Sequence, residues 1–478
     1  MSIVKQAIDL GNREVQAALA RARELLLGIV PEGSFASQEQ AMLALTGELG
    51  RLMAERRLQD LADSFGDRVM VEGAEYKRHH RSEGHYHSLC GPLTVERYTF
   101  RLVGVHNGPT EVPLDLAAGL VQRATPAFAR NLAHGYATYD LRTHREQLEL
   151  AARVPPARAT MERIATAIAT RAHREAPELE IELRRAEKLP GTAHAVVLGL
   201  DRTSVPMAEP RAADSDKPPP QRSRPYQRKK PDPIDVNFRM AYVGTVTFVD
   251  RAGEAVGVRR YAAPACDDPK ALVASMTADL THALCQRPMR VAVMQDGAPE
   301  LWNLVRDGLG RLRGLGLLRR WEEGIDLYHL LERLGEAFDC LGRDDKAMTL
   351  ERWRDDLLSD DGAIDSILAY LSFYRHDLKK KARTALDEHL TYIENNKDRM
   401  KYAKLLRRGL PLGSGVTESA AKNVIGLRAK RSGQRWSQPG LRGVLTLRAL
   451  LKSERLHPFW TRLSRRHIAN VVNLRAAA

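Results

Sequence analysis

The sequence predicts a mixed α/β sheet domain that follows mainly helical modules. Short apolar runs indicate four strands, at 193–200, 240–249, 256–262 and 290–295. A helix is predicted at 269–284, between the third and fourth of them. Three strands, a helix and a further strand are typical of the start of a mixed sheet. A highly charged helical pattern then covers 330–408. We therefore expect the sheet domain in two parts, 191–329 and 409–478, with an all-α insertion between them.

The N-terminal region combines helical and β patterns. Apolar residues recur at helical spacing over residues 3–64, which predicts a helical region over 1–66. Between Arg68 and Val103 they alternate with polar residues, and Cys90-Gly-Pro provides a turn. This pattern predicts a small β element over 67–112.

Residues 113–190 are expected to be helical and contain a candidate helix-turn-helix. Thr143–Val154 would form its first helix, Pro155 and Pro156 the break, and Ala159–Ile168 its second helix. Two packed helices of an ordinary bundle explain the same pattern equally well, because the motif is short and degenerate. If the motif binds DNA, Arg158 and Arg163 are the candidate contacts.

A basic, proline-rich loop is predicted at 209–235, between the first two strands of the sheet domain. It contains Arg228, Lys229 and Lys230 and follows Asp201 closely in sequence. Such a segment is either a solvated linker or a contact for a phosphate backbone.

The composition indicates a polyanionic partner. The 478 residues include 74 Lys and Arg against 60 Asp and Glu, a net charge of +14. This excess favours nucleic acid over a membrane, because no apolar run reaches the roughly 20 residues that a spanning helix needs. The four cysteines are scattered, and the first ten residues lack a signal-peptide pattern. We therefore expect reduced thiols and a cytoplasmic location.

Three carboxylates lie in unusual settings. Asp201 and Asp296 each follow a short apolar run, and Glu418 opens a helix after Gly413-Ser-Gly415. Thr417 is expected to cap that helix, so that Glu418 falls in its first turn. Each acid alone has an ordinary structural explanation, but together at one sheet edge they would form a site for divalent metal ions.

A dense basic run follows Glu418. Its members are Lys422, Arg428, Lys430, Arg431, Arg435 and the aromatic Trp436. The cations are candidates for tracking a phosphate backbone, and the indole is a candidate for stacking on a base or sugar.

The stretch from Pro411 to Lys422, with the Arg428-Ala-Lys-Arg-Ser-Gly-Gln-Arg-Trp-Ser segment, resembles the signature of ISKra-type bacterial insertion-sequence transposases. The resemblance extends to Leu200-Asp201, Gln295-Asp-Gly297 and Asp326-Leu-Tyr-His329. It implies a DDE transposase with an RNase H-like catalytic domain, in which Asp201, Asp296 and Glu418 are the acid triad. The activity implied is cleavage of transposon ends and transfer of their 3′ hydroxyls into target DNA.

The resemblance also implies cofactors and partners. Two Mg²⁺ ions, for which Mn²⁺ can substitute, would be held by Asp201 as the bridging ligand, with Asp296 and Glu418 each favouring one ion. The DNA partners would be terminal inverted repeats and target DNA, bound by a homodimer or higher oligomer. His329 would lie near the scissile phosphate; alternatively, it is a core histidine paired with an acid.

Two other functions remain open. An RNase H-like nuclease or resolvase would use the same acids without strand transfer, and a domesticated transposase would bind DNA without catalysis. A second metal site is a weaker possibility, since the histidine-rich segment with His79, His80, His85, His87 and Cys90 also fits a solvated basic turn.

Overall fold

The computed structural model describes residues 13–27, 34–211, 234–264, 267–468 and 471–474. The first elements are α1 (Arg13–Leu26), α2 (Phe35–Asp63), β1 (Arg68–Val71), β2 (Ala74–Ser88), β3 (Gly91–Leu102), β4 (Thr110–Glu111), α3 (Pro113–Ala117), α4 (Pro126–Thr138), α5 (Leu141–Leu150) and α6 (Arg158–Ala186). Next come β5 (Ala195–Pro210), β6 (Ile234–Val249), β7 (Ala255–Pro264), α7 (Pro269–Gln286), β8 (Arg290–Gln295), α8 (Pro299–Gly314) and β9 (Glu322–Ile325). The last are α9 (Leu327–Asp339), α10 (Lys346–Ser359), α11 (Ala363–Arg375), α12 (Lys380–Asn396), α13 (Tyr402–Arg407), α14 (Gly415–Ala420), α15 (Leu427–Ala429), α16 (Gln438–Lys452), α17 (Leu456–Ile468) and β10 (Val471–Leu474).

The chain is mixed α/β and divides into two compact units. One unit contains residues 1–179 and 455–478, and the other contains residues 180–454. Within the described ranges, no helix is long and apolar enough to cross a membrane.

The first unit is built on an antiparallel sheet with the strand order β10-β1-β2-β3-β4. Alternate residues of β3, including Leu93 and Val95, are buried against a core that also contains Leu58 of α2 and Leu114 of α3. The predicted small β element is therefore confirmed. One of its two edge strands, β10, is formed by residues 471–474, which the local pattern did not predict.

Both helices of the candidate helix-turn-helix are present, but with different bounds. α5 ends at Leu150 rather than at Val154, because Arg153 N bonds back to Leu148 O at 2.9 Å and Ala152 adopts a positive φ of 52°. α6 then runs for 29 residues, far beyond the predicted recognition helix.

The second unit contains a five-stranded sheet with the order β7-β6-β5-β8-β9. β5, β6 and β7 pair antiparallel, whereas β8 is parallel to β5 and β9 is parallel to β8. The four predicted strands and the helix between them are confirmed. The short β9 was not predicted, and β5 and β6 extend well beyond their apolar runs as a long hairpin.

Five helices, α9 to α13, lie between β9 and α14 and confirm the helical character predicted for 330–408. Nearly all of their buried apolar residues belong to the same hydrophobic core as the sheet. Trp353, for example, makes edge-to-face contacts with Phe338 at 5.9 Å and with Tyr370 at 5.5 Å. The helical segment thus shares its core with the sheet and does not form a core of its own.

Candidate active site

Three adjacent parallel strands carry an aspartate at the same edge of the larger sheet. The residues four positions before Asp201, Asp296 and Asp326 are paired with one another across β5, β8 and β9. The same register, continued toward the carboxyl ends of the strands, brings the three aspartates level. Because neighbouring strands lie about 4.8 Å apart, the register alone gathers these acids in one row.

Asp201 does not end its strand, contrary to the sequence prediction. β5 continues to Pro210, and Asp201 lies opposite Val243 of β6. The strand that ends at this level is β8, which pairs with β5 only as far as Leu198. Asp201 therefore lies where one edge of β5 is no longer covered by β8.

The surroundings of Asp201 disfavour the charged form of its carboxylate. Its Oδ1 accepts a hydrogen bond from Arg202 N at 2.6 Å. Burial raises the pKa of Asp201, and the charges of Asp296 and Glu418 raise it further, against the opposing effects of the Arg202 bond and of His329. The triad acids and His329 thus lie close enough to influence one titrating group.

Asp296 is held in the turn between β8 and α8. Its Oδ1 accepts a hydrogen bond from Ala298 N at 3.1 Å, and its backbone oxygen accepts one from Trp302 Nε1 at 2.6 Å. The next residue, Gly297, has no room for a side chain, because a Cβ there would overlap the ring of Tyr392. Asp296 therefore has a fixed backbone and a half-exposed carboxylate.

The helix of Glu418 is docked directly on the strand of Asp201. Thr417 Oγ1 lies 2.7 Å from Thr245 Oγ1 of β6, and a Cβ on Gly199 would overlap Thr417 Oγ1. This contact corrects the predicted capping role of Thr417, since the N-cap position of α14 is occupied by Ser414. Glu418 does lie in the first turn, as predicted.

Asp326 joins the start of α9 to the segment that leads into α14. Its Oδ1 accepts hydrogen bonds from the backbone N–H groups of Tyr328 and His329, at 2.7 and 3.2 Å, and so caps α9. Its Oδ2 accepts a hydrogen bond from Ser414 N and lies 2.9 Å from Ser414 Oγ, whose one hydrogen is shared between two neighbouring carboxylates. The same hydroxyl lies 2.6 Å from Glu418 Oε1. Asp326 is buried, and the Ser414 hydroxyl lies between it and Glu418.

His329 is a half-exposed member of the site and not a core histidine. Its Nε2 lies 3.3 Å from Glu418 Oε1, and its Nδ1 lies 3.4 Å from Glu332 Oε2. Burial lowers the pKa of His329, but the charges of Asp326, Glu418 and Glu332 outweigh this effect and raise it overall. The imidazole therefore favours its charged form between acids.

Four of the predicted DNA contacts lie at the surface of the segment after Glu418. Lys422, Lys430 and Arg435 are exposed, and Arg431 is half-buried. Lys430 Nζ donates to Thr203 Oγ1 at 3.0 Å, two residues beyond Asp201. Lys422 lies in a π-helical turn over 421–426, an irregularity that is common at functional sites.

Arg428 and Trp436 do not face solvent, which corrects their prediction as contacts to DNA. Arg428 is 2% exposed and Trp436 is 9% exposed. The guanidinium lies 4.9 Å from the centroid of the indole ring, and Trp436 Nε1 donates to Ala429 O at 3.0 Å. Trp436 also bridges to β5, through bonds to Pro206 O and from Ala208 N. Both side chains serve packing.

The remaining predicted contacts lie elsewhere. Arg228, Lys229 and Lys230 fall outside the described residues. Arg158 and Arg163 are exposed on α6, in residues assigned to the other unit.

Carboxylates are the hard oxygen ligands that Mg²⁺ and Mn²⁺ prefer, so the donor set of Asp201, Asp296 and Glu418 fits these ions. A cation would also relieve the mutual repulsion that raises the pKa of Asp201. Across the described ranges, however, no group of three or more His, Cys, Asp or Glu side chains is arranged to hold a metal ion, the β2 histidines included. Glu418 must exchange Ser414 and His329 for the ion if the triad is to bind one.

No protein-family model matches the chain, and no curated protein sequence matches it significantly. The geometry of the site also depends on Ser414, Gly199 and Thr245, whose roles the sequence did not predict. Only Gly199 carried a signal, since a glycine inside an apolar strand often marks a close approach of another segment.

Proposed function

We propose that the chain is a metal-dependent DNA transposase of the DDE type, which cleaves the ends of a mobile element and joins their 3′ hydroxyls to target DNA. The observation that carries this proposal is the convergence of Asp201, Asp296 and Glu418. These residues come from three separate parts of the chain, yet Asp296 and Glu418 both act on the pKa of Asp201.

The topology of the second unit supports an RNase H-like assignment. The order β7-β6-β5-β8-β9, with an antiparallel meander followed by parallel strands, places the first strand at the centre beside the fourth. In such a sheet, catalytic groups collect at the carboxyl ends of the parallel strands. The helical segment 327–407 then separates the two aspartates from Glu418, as an insertion in this fold would.

Asp201, Asp296 and Glu418 would hold the metal ions, with Asp201 as the shared ligand and Asp296 and Glu418 each favouring one ion. Bound there, Mg²⁺ or Mn²⁺ would supply Lewis acids that activate the attacking oxygen and stabilise the leaving oxygen. The protein fixes the backbone of each acid: β5 and β6 hold Asp201, Trp302 holds the Asp296 turn, and Thr417 holds the helix of Glu418.

His329 and the basic surface would act on the DNA. Once Glu418 turns away from His329, the imidazolium has a free N–H to donate to a non-bridging phosphate oxygen. Lys422, Lys430 and Arg435 are exposed on the segment that carries Glu418, where they would bind the flanking backbone. Because two element ends must be joined in one reaction, we expect a homodimer or larger assembly on DNA.

The test uses purified protein and labelled duplexes that carry the sequences flanking its gene, with Mg²⁺, Mn²⁺ or no metal. Asp201→Asn is compared with Asp307→Asn, which removes an exposed carboxylate on α8. We expect cleaved and joined products from the wild type and from D307N. D201N should bind DNA normally but lose roughly a thousandfold in rate, in line with the several kcal/mol that metal-ion catalysis supplies.

The possible outcomes separate the rival functions. Cleavage without any joined product would identify a nuclease or resolvase. DNA binding without cleavage under any metal condition would identify a non-catalytic DNA-binding protein. Equal cleavage by D201N and by the wild type would remove the carboxylate site from the reaction.

A further inference from the structure

A second basic site lies in the same unit, at the outer edge of the sheet. β9 is the last strand in the sheet order, and a cavity of about 430 Å³ opens beside it. Its walls come from α8, the segment between α8 and β9, the start of β9, the end of α12, the turn at 397–399, Lys401 and α13. Seven of the lining side chains are arginine or lysine, and three are acidic.

The inner cations of this cavity are neutralised by acids. Glu323 accepts hydrogen bonds from Arg306 Nε at 2.8 Å and from Arg399 Nε at 3.2 Å. Lys404 Nζ lies 2.7 Å from Glu322 Oε2. These ion pairs form the floor of the cavity. The cations without an acidic partner lie at its opening, the mouth.

The cations at the mouth are exposed and uncompensated. Arg313, Arg319 and Arg320 all face solvent, and within the part of the chain that the structure describes no carboxylate forms an ion pair with them. Lys401 is also exposed, and its ammonium group lies 3.8 Å from Asp398. Because the free charges are spread around an opening, they suit a ligand with several anionic groups in a row.

The cavity is also connected to the candidate active site. The guanidinium of Arg399 lies 4.4 Å from the centroid of the Trp302 ring, and the Trp302 indole donates to the backbone oxygen of Asp296. Trp302 therefore contacts both a residue that lines the cavity and the backbone of Asp296.

We propose that this cavity binds the sugar-phosphate backbone of DNA as a second contact, separate from the basic segment after Glu418. The planar guanidinium group of arginine can donate two parallel hydrogen bonds to the oxygens of one phosphate. Three arginines that line one cavity can therefore bind consecutive phosphates. The choice of DNA as the ligand rests on the proposed function, whereas the preference for an anionic ligand rests on the exposed arginines alone.

The test measures DNA binding without chemistry, by fluorescence anisotropy of a labelled duplex in EDTA over a series of salt concentrations. The cavity variant is R313Q/R319Q/R320Q, and its charge-preserving counterpart is R313K/R319K/R320K. The matched control, R352Q/R354Q/K380Q, removes three exposed cations from α10 and α12. All three variants keep the floor of the cavity intact.

We expect the glutamine variant to bind DNA at least about tenfold more weakly, with a salt slope lower by about 0.9 for each phosphate that the variant no longer neutralises. The lysine variant should keep the slope, and the control should stay within about twofold of the wild type. Inorganic pyrophosphate should compete with DNA for the wild type but not for the glutamine variant, which would support binding at the cavity.

Equal losses of affinity in the cavity variant and the control would overturn the inference, and so would an unchanged salt slope. Pyrophosphate binding that leaves DNA binding untouched would assign the cavity to a small anion instead. The proposed function fails separately: if the wild type cleaves no DNA but the cavity variant still loses DNA affinity, the inference stands and the transposase does not.

Discussion

His329 Nε2 lies 3.3 Å from Glu418 Oε1, so the imidazole and the third acid of the triad hold each other in place. Both side chains are nearly half exposed, at 44% and 48%. The pair keeps Glu418 beside His329 and Ser414. The position of Glu418 should therefore depend on the charge on His329.

The first prediction concerns this coupling. The folded-state pKa of His329 lies above its ordinary value of 6.5. Glu418→Gln should lower that pKa, as followed by NMR titration of the His329 Cε1–H signal, and Glu332→Gln should lower it as well. The His282 signal serves as an internal control. An unchanged His329 titration in E418Q would show that the two groups do not interact in solution.

The same shift has a defined effect on stability. Since the folded-state pKa of His329 is raised, its interaction with the acids stabilises the fold fully below pH 6.5 and is lost as the pH rises through the folded-state pKa. An exposed pair of this kind contributes on the order of 0.5 kcal/mol. His329→Asn should therefore lower the free energy of unfolding in urea at acidic pH and not at alkaline pH.

The second prediction is that Asp201→Asn stabilises the protein, although it should slow the proposed reaction roughly a thousandfold. Burial and the neighbouring carboxylates raise the pKa of Asp201 above 3.8, so stability falls as the pH rises from 3.8 through the folded-state value. At neutral pH the neutral amide should add about 1 kcal/mol to the free energy of unfolding. Added Mg²⁺ should raise the Tm of the wild type but not that of D201N.

The control for this experiment is Asp307→Asn, which removes a carboxylate that is exposed on α8. Its stability should change by less than about 0.5 kcal/mol. A D201N protein less stable than the wild type at neutral pH would contradict the crowding of acids at this edge.

The third prediction tests how the helix of Glu418 is docked. A Cβ on Gly199 would overlap Thr417 Oγ1 and approach Met294 O to 3.0 Å. Gly199→Ala should therefore cost about 1–3 kcal/mol and displace α14. In a double-mutant cycle, Thr417→Ala should recover part of that loss, because it removes the overlapping hydroxyl.

Gly310→Ala provides the matched control. Gly310 is an exposed residue inside α8, and a Cβ there would meet nothing within 4 Å. The substitution should stabilise the protein by roughly 0.5–1 kcal/mol, the usual advantage of alanine within a helix. If G199A were as well tolerated as G310A, the close contact between strand and helix would be absent.

The fourth prediction separates packing from DNA contact in the basic segment. Trp436→Phe removes the indole bond to Ala429 O and should lower stability by about 1 kcal/mol without changing the salt dependence of DNA binding. Lys422→Gln should do the opposite, reducing the salt slope by about 0.9 at unchanged stability. A reduced slope in W436F would restore the indole as a DNA contact.

Much of the second unit could be predicted from the sequence, because the buried parts of its longer strands are apolar runs; the ends of β5 and β6 could not, since both strands continue well beyond those runs. Val291–Met294 and Ala195–Leu200 are buried throughout, and their composition marks them as strands whatever they pair with. The acids that follow these runs were identified for the same reason. The short β9 escaped prediction because Glu322 and Glu323 give it no apolar pattern, and only its pairing with β8 makes it a strand.

The partners of the site residues were beyond prediction because they depend on tertiary register. Nothing local to Ser414 shows that its hydroxyl lies between Asp326 and Glu418. Likewise, Arg428 belongs to a run of cations that is typical of a solvated face, and its burial depends on the indole of Trp436 beside it. The positions of these residues along the chain predict which of them lie near one another, but not which side chains are buried.

The two ends of the long helical segment are tied together at a single point. Leu327 N bonds to Leu412 O at 2.9 Å, immediately beside the Asp326–Ser414 contact. This contact brings the start of α9 and the segment before α14 to the same place, so Glu418 meets the sheet beside Asp326 although 91 residues lie between these two acids.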